Sequence, residues 1–237
     1  MNLKTVESLS DKLDYEISWR RLELTNLKFN VENVDGNKLN TNLRSSLVLL
    51  YAHWEGFVKK ILTYYLEHVS RQKLQNNQLK HNFFALEIYT ELKALTETKK
   101  NILHTKIVDS IIDNISKESE IPFKNKINTQ GNLNSELFKE LMFTVGLDTS
   151  AYETYFLLID ERLLGTRNKI AHGEALQQLQ LTKDSYLELH QIVTEIMETL
   201  KEQIIDAAIN KLYMINPQEL YDEAISSVNE FQTSITF

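Results

Sequence analysis

One short run of polar side chains carries the groups best suited to chemistry, and it reads Arg167-Asn168-Lys169-Ile170-Ala171-His172. Arginine binds phosphate oxygens through its planar guanidinium. Histidine can take a proton from a ribose 2′-hydroxyl or give one to a leaving oxygen, and asparagine can orient either group by hydrogen bonding. These residue types together indicate phosphate chemistry. By composition alone, however, an arginine and a histidine at this spacing arise by chance more often than for a function.

If the segment is helical, these three residues lie on two different faces of the helix. Asn168 and His172 are four residues apart and therefore share one face of a helix. Arg167 lies five residues before His172, about 140° away around an ideal helix. Its long side chain, or a kink at Gly165, would swing the guanidinium toward the same cleft. The spacing therefore predicts a site that needs a kink or a second subunit to be complete.

Apolar residues spaced by three and four predict the helices that must position these groups. The chain contains only 6 glycines and 2 prolines, so few residues interrupt helices. The clearest helix runs from about Leu43 to 73, with Trp54 and Phe57 in its apolar stripe. Others are predicted at about 6–27, in two pieces over 82–117, from Asn134 or Ser135 to a glycine stop at 146, over 152–172, and after Thr182.

Long helices joined mostly by short loops usually pack antiparallel, and no useful period-two alternation indicates strands. We therefore predict an all-α, antiparallel helical bundle that forms a single domain over residues 1–237. Its core is expected at about 40–73 and 134–212. The segment 76–132 is expected to be a helical elaboration, and 216–237 a C-terminal helix and tail.

Composition excludes several classes of function. The chain has no cysteine, which excludes disulfide frameworks and thiolate metal sites, and no acidic cluster indicates a metal, so we expect neither metal nor cofactor. A net charge of −7 argues against general binding of duplex nucleic acid, although a local basic groove remains compatible with it. No stretch has the length of a signal peptide core or of a bilayer span, so we expect a cytoplasmic protein without a membrane partner.

The stretch RNKIAHGE (167–174) resembles the motif of the HEPN superfamily, the "higher eukaryote and prokaryote nucleotide-binding" helical domains. That motif is an arginine, four to six residues and a histidine, often with asparagine directly after the arginine. Three longer stretches, LLYAHWEGFVKKIL (49–62), GNLNSELFKELMFTVGLD (131–148) and FLLIDERLLGTRNKIAHGE (156–174), follow in an order similar to the prokaryotic MAE-like and RiboL-PSP-like HEPN branch. The resemblance covers roughly residues 40–210.

The resemblance implies a function. Active HEPN proteins are metal-independent endoribonucleases that form two-fold homodimers, with the motifs of both subunits facing one cleft. Carried over, Arg167 would stabilise the phosphate, His172 would be the general acid or base, and Asn168 would support them. The expected partners are RNA, a second copy of the chain, and an antitoxin or another protein of a toxin–antitoxin or antiphage defence system. The alternatives are a non-catalytic HEPN module that binds a ligand or a protein, which the acidic net charge favours, and a purely structural bundle.

Glu55 is a further candidate, since it follows Tyr51 by four residues and precedes Lys59 by four. Its carboxylate could orient His172 or Arg167. It could equally pair with Lys59 along the helix, an interaction worth a few tenths of a kcal/mol, roughly, and the residues leave both interpretations open. The remaining histidines lack paired metal-ligand spacing and are interpreted as surface or satisfied interior residues: His53, His68, His81, His104 and His190.

Overall fold

The computed structural model describes residues 3–97, 99–175, 179 and 181–216, and within these ranges no residue belongs to a β-strand. The α-helices are α1 (Val6–Glu32), α2 (Gly36–Ser70), α3 (His81–Glu87), α4 (Tyr89–Glu97), α5 (Asn101–Asn114), α6 (Ser135–Thr144), α7 (Thr166–Ala171) and α8 (Lys183–Ile209). Short 3₁₀-helices occupy Asn76–Gln78 and Ser150–Tyr155, and Leu158–Gly165 is π-helical. The predicted all-α fold is confirmed. The C-terminal helix predicted at 216–237 falls outside the described residues from 217 onward.

Helices α1 and α2 form an antiparallel pair. At one end a ring nitrogen of His68, late in α2, lies 2.9 Å from the Leu3 carbonyl oxygen just before α1. At the other end the Asn42 side chain, early in α2, donates to the Asn30 carbonyl late in α1 at 2.9 Å. The short connection at 33–35 forces this reversal, because two long helices joined by a few residues can pack only side by side.

Helix α8 completes the bundle by running antiparallel to α1. Lys183, at the start of α8, donates to the Glu32 carbonyl at the end of α1 at 2.7 Å. Lys201, near the end of α8, bonds to Asp14 in the first half of α1 at 3.0 Å. The three long helices therefore confirm the antiparallel arrangement.

Helix α2 is the central element, because its apolar stripe is buried along its whole length. Trp54 is 1 % exposed and its ring lies 5.5 Å from that of Phe138 on α6, which in turn meets Tyr152 edge-on at 5.2 Å. The predicted stripe is fully inside the core: Leu43, Leu47, Leu50, Trp54, Phe57, Ile61 and Tyr65. This rigid helix is the base on which the motif is placed.

Helix α6 begins and ends as its sequence predicts. The Asn134 side chain accepts a hydrogen bond from the first turn. Gly146 takes a φ of 70°, where the backbone N–H groups of Gly146 and Leu147 bond back to the Phe143 and Met142 carbonyls at 2.9 and 3.0 Å. This is a Schellman stop, which favours glycine because a side chain strains the left-handed backbone.

The described part of the segment 76–132 contains three α-helices rather than the two predicted pieces, because the chain turns at Ile88, between α3 and α4. It is fixed to the bundle at two points. The Asn82 side chain donates to the Thr144 carbonyl at the end of α6 at 2.9 Å, and the Ser70 hydroxyl at the end of α2 donates to the Ile121 carbonyl at 3.0 Å. None of the helices in the described ranges combines the length and apolar composition needed to cross a membrane.

Candidate functional site

The motif lies at the end of a helical stretch that contains a 3₁₀-helix, a π-helix and an α-helix in turn. The stretch starts as the 3₁₀-helix at Ser150, widens into the π-helix Leu158–Gly165 and continues as α7. In the wide turns a Cβ added at Gly165 would sit 3.2 Å from the Asp160 carbonyl oxygen, a contact tighter than usual, so glycine relieves crowding there. The sequence predicted a kink at this glycine, and the change from π- to α-helix occurs there. Isolated π-turns of this kind are frequent at functional sites.

Helix α7 itself is regular from Thr166 to Ala171. The π-helix therefore changes the direction of the whole motif and not the positions of its residues relative to one another. It does not close the angle between Arg167 and His172, because it ends before both residues. Their separation of about 140° around the helix axis therefore persists. The two side chains meet different surroundings.

Arg167 is directed onto α2. Its guanidinium carbon lies 4.8 Å from the ring centroid of Tyr51, and one guanidinium nitrogen donates to the Asn168 side-chain oxygen at 2.7 Å. A cation over an aromatic face is held by the quadrupole of the ring, more firmly where water is partly excluded. These two contacts hold the half-buried guanidinium of Arg167 in one orientation.

Tyr51 serves as the platform for this guanidinium. Its side chain is 1 % exposed, and its phenol oxygen accepts a hydrogen bond from the Leu133 N–H at 2.6 Å. Burial raises the Tyr51 pKa above its ordinary value near 10, and the neighbouring Glu55 carboxylate raises it further, against the lowering effects of the Leu133 N–H and the Arg167 charge. The phenol is therefore neutral at physiological pH, and its role is to position its neighbours.

The segment 131–135 closes the other side of the site and is held at three points. The Asn168 side chain donates to the Asn132 side-chain oxygen at 3.3 Å. The Leu133 N–H bonds to Tyr51, and the Ser135 N–H bonds to the Asp160 carboxylate at 2.7 Å. The Asp160 carboxylate, which comes from the π-helix, thus meets the N-terminus of α6, where the helix dipole favours a negative charge. The segment therefore links α2, the π-helix and α7.

His172 is the C-cap of α7 and is exposed to solvent. The chain then turns through Gly173, whose φ is 83°. The N–H groups of Gly173 and Glu174 bond back to the Ile170 and Lys169 carbonyls, both at 3.0 Å, which makes a second Schellman stop. The imidazole thus lies at a turn held by backbone hydrogen bonds and is open to solvent.

Arg44 on α2 secures this turn. Its guanidinium donates to the Glu174 carbonyl and lies 3.5 Å from the Ile170 carbonyl oxygen. A cation is favoured at a helix C-terminus, where backbone carbonyls lack helical partners. Arg44 therefore fixes the position of the backbone that carries the histidine.

The structure joins Arg167 and Asn168 by a hydrogen bond and shows none between either of them and the His172 ring. Glu55, half-buried on α2, interacts with the Tyr51 phenol rather than with Lys59. Three positioning groups were missed by the sequence interpretation: Tyr51, Arg44 and Asn132. The four-residue step from Tyr51 to Glu55 was a usable signal, whereas nothing in the sequence connects Arg44 or Asn132 to the motif.

The other histidines lie elsewhere. His68 and His190 are buried with ring nitrogens 2.9 and 3.0 Å from backbone carbonyl oxygens, and buried His53 lies 3.3 Å from the Glu23 carboxylate. Among the described residues, no three histidines or carboxylates are grouped so that they could hold a metal ion.

The family model of RiboL-PSP-HEPN matches residues 15–206, which is most of the chain. The chain belongs to the RiboL-PSP-HEPN family. The resemblance read from the motif is thereby confirmed, and the match starts within α1 and reaches nearly to the end of α8. Neither the curated proteins nor the solved structures gave a match to this HEPN chain.

Proposed function

We propose that this HEPN protein is a metal-independent endoribonuclease that acts as a homodimer, with Arg167, Asn168 and His172 at its site. One observation carries the proposal. The complete Arg-Asn-His set lies within the family match, with the arginine pre-oriented on Tyr51 and the histidine exposed at a fixed turn.

The chemistry follows from the residue types. An imidazole takes the proton of a ribose 2′-hydroxyl, the 2′-oxygen attacks the adjacent phosphorus, and the bond to the 5′-oxygen breaks. An imidazolium gives that leaving oxygen its proton. The products are a 2′,3′-cyclic phosphate and a 5′-hydroxyl. Arg167 would stabilise the charge that builds on the phosphate oxygens, and Asn168 would hold the guanidinium in place through its 2.7 Å hydrogen bond.

A second copy of the chain supplies what one motif lacks. A single His172 can be a base or an acid in one step, and the reaction needs both. Two motifs across a two-fold axis provide two imidazoles, and they also place Arg167 of one copy near His172 of the other. An apolar groove lined by Val48, Leu49 and Ile170 lies directly beside α7 and offers a surface for this pairing.

The test is cleavage of a mixed RNA pool in EDTA by the parent and by His172→Ala. We expect the variant to lose at least about 10²-fold in rate with an unchanged circular dichroism spectrum. His81→Ala, which replaces another exposed histidine, is the matched control and should cleave like the parent. Equal cleavage by the parent and His172→Ala would refute the proposal, as would a parent that cleaves only with added metal.

Mixing the parent with an inactive variant tests the composite site. A dimer of one parent chain and one His172→Ala chain retains a single imidazole, whereas the proposed reaction needs two. We therefore expect an excess of His172→Ala to inhibit the parent, while an excess of His81→Ala should not lower its activity. If the parent keeps its full activity although mixed dimers form, the two copies do not share a site.

A non-catalytic HEPN module is the second candidate, and the net charge of −7 favours it because RNA is repelled by an acidic surface. It predicts a parent that binds a ligand or a protein but leaves every RNA intact. In either case we propose that the chain works with a partner protein in a toxin–antitoxin or antiphage defence system.

A further inference from the structure

A cavity of about 530 Å³ lies beside α7, between this helix, the π-helix and the start of α8. Thr166 and Lys169 line it on the side of α7, and the buried side chains of Leu181 and Leu189 supply its apolar part. This volume lies within the range of roughly 300–1,000 Å³ that is usual for ligand sites. None of the described residues that line the cavity belongs to the groove beside Ile170, so the two features are separate.

Thr166 contributes a buried hydroxyl group to this cavity. The residue is only 9 % exposed, and among the described residues its hydroxyl group has no hydrogen-bond partner. A buried hydroxyl group without a partner destabilises a fold, so such a group in a protein calls for an explanation. A polar ligand in the cavity would supply the missing partner.

Lys169 connects the cavity with the exposed histidine of the motif. It precedes His172 by three residues, so the two side chains leave the helix about 60° and one turn apart. Arg167 lies on the other side of the helix, about 160° from Lys169. Lys169 is exposed, and within the described part of the chain no carboxylate pairs with it. Its ammonium group is therefore available to a phosphate group next to the one on which His172 would act.

Arg162 gives the cavity a flat polar surface. Its guanidinium donates to the Glu188 carboxylate at 2.7 Å, which helps to hold the group in one orientation. Unpaired RNA bases stack on arginine planes as they do on aromatic rings, and their edges form hydrogen bonds. Glu161, which also lines the cavity, can accept a hydrogen bond from the amino group of adenine, cytosine or guanine. The Thr166 hydroxyl group can donate or accept. These groups together fit a nucleobase.

We propose that this cavity holds the base of an RNA nucleotide next to the cleaved bond, with Lys169 on a neighbouring phosphate group. The site depends on the proposed ribonuclease function, and it binds a part of the substrate that the Arg-Asn-His motif does not contact. Thr166 and Arg162 then help to determine where the RNA is cut. The substrate is single-stranded at this position, because a base enters a cavity only when it is unpaired.

RNA strands that each lack one base test the cavity. The full chain is assayed in EDTA on a strand that it cuts and on copies in which one nucleotide at a time is an abasic ribose. For the parent, one replacement next to the cleaved bond should lower kcat/KM about tenfold, as loss of one bound base does. In Thr166→Val, which keeps the shape of the side chain, the same replacement should cost less, because the hydrogen bond to the base is already lost.

Thr194→Val is the matched control for Thr166→Val. It also removes a threonine hydroxyl group from a helix, but from α8, where that group donates to the His190 carbonyl at 2.8 Å. This variant should lose as much kcat/KM as the parent when the base is removed.

Lys169→Gln tests the phosphate contact at an exposed position. The affinity for uncleaved RNA is measured by fluorescence anisotropy in the His172→Ala background, with and without Lys169→Gln. The slope of log Kd against log salt should fall by about 0.7, the value for one phosphate contact on a single strand. Lys106→Gln removes the same charge from an exposed position on α5 and should leave the slope unchanged.

Two results would overturn the base site while the ribonuclease function stands. One is a Thr166→Val variant that responds to the loss of every base as the parent does. The other is a Lys169→Gln variant whose salt dependence equals that of Lys106→Gln. A parent that leaves every RNA intact would instead refute the ribonuclease function, and the base site with it.

Discussion

The histidines of this protein fall into two groups with opposite surroundings. His172 is exposed at the end of a short helix, where the backbone is fixed and the ring is open. His68 and His190 lie inside the bundle, each with a ring nitrogen at a backbone carbonyl, and burial lowers the pKa of both. Proton transfer to a substrate needs access to that substrate. The proposed role of His172 in proton transfer rests on this exposure, whereas the buried rings are held by the bundle.

Replacing Tyr51 should lower the cleavage rate most, among changes outside the motif, because Tyr51 supports Arg167. Tyr51→Leu removes the aromatic face beneath Arg167, whereas Tyr51→Phe keeps it. We expect Tyr51→Leu to cleave RNA roughly tenfold more slowly than Tyr51→Phe, since 1.4 kcal/mol lies within the range of a partly desolvated cation–π contact. Initial rates measure the difference. Equal rates for both variants would show that the platform does not orient the guanidinium.

Loss of the Tyr51 hydroxyl should also lower the stability of the fold, so this effect needs its own control. Tyr51→Phe leaves the Leu133 N–H without its acceptor, which should cost about 1–3 kcal/mol of unfolding free energy. Tyr64→Phe is the matched substitution on the same helix, where the hydroxyl donates to Glu16 at 3.0 Å, far from the motif. It should lower stability and leave the cleavage rate unchanged.

Arg44 tests whether the turn that presents His172 must be fixed. Arg44→Ala removes the donor from the Glu174 carbonyl, and we expect roughly 1 kcal/mol of lost stability because the side chain is only half-buried. Cleavage should fall several-fold at unchanged RNA affinity, and Arg44→Lys should recover part of it. Arg21→Ala, which breaks an exposed pair with Glu198, should do neither. A fall in both variants would point to a general loss of structure.

Lowering the pH should destabilise the fold through the buried histidines, which is a smaller effect than those above. The folded-state pKa values of His53, His68 and His190 lie below the ordinary 6.5, so the unfolded chain binds more protons as pH falls. Stability should be complete above pH 6.5 and decline below it. The urea midpoint should drop from pH 7.5 to 5.5, a range of about one unit on either side of that value. The drop should be smaller in His190→Gln than in the parent. An equal drop in His190→Gln would contradict the assignment.

The fold could be predicted because each helix carries its own local signals. The stripe of α2, the Asn134 cap and the glycine stop at 146 act through neighbours in sequence, and all three were confirmed. The break at Ile88 was not foreseen, because no glycine or proline marks the turn between α3 and α4. The C-terminal helix predicted at 216–237 stays a prediction.

The Arg-Asn-His motif shows the same division between local and tertiary signals. The sequence by itself determined the helix that carries Arg167, Asn168 and His172, the spacing that separates them, and the family to which the chain belongs. Only the tertiary structure decided that Arg167 lies on Tyr51, that Asn132 meets Asn168 and that Arg44 fixes the turn at His172. Those contacts join residues up to 130 positions apart, and side-chain pairs at such distances follow from helix packing, which no local pattern encodes.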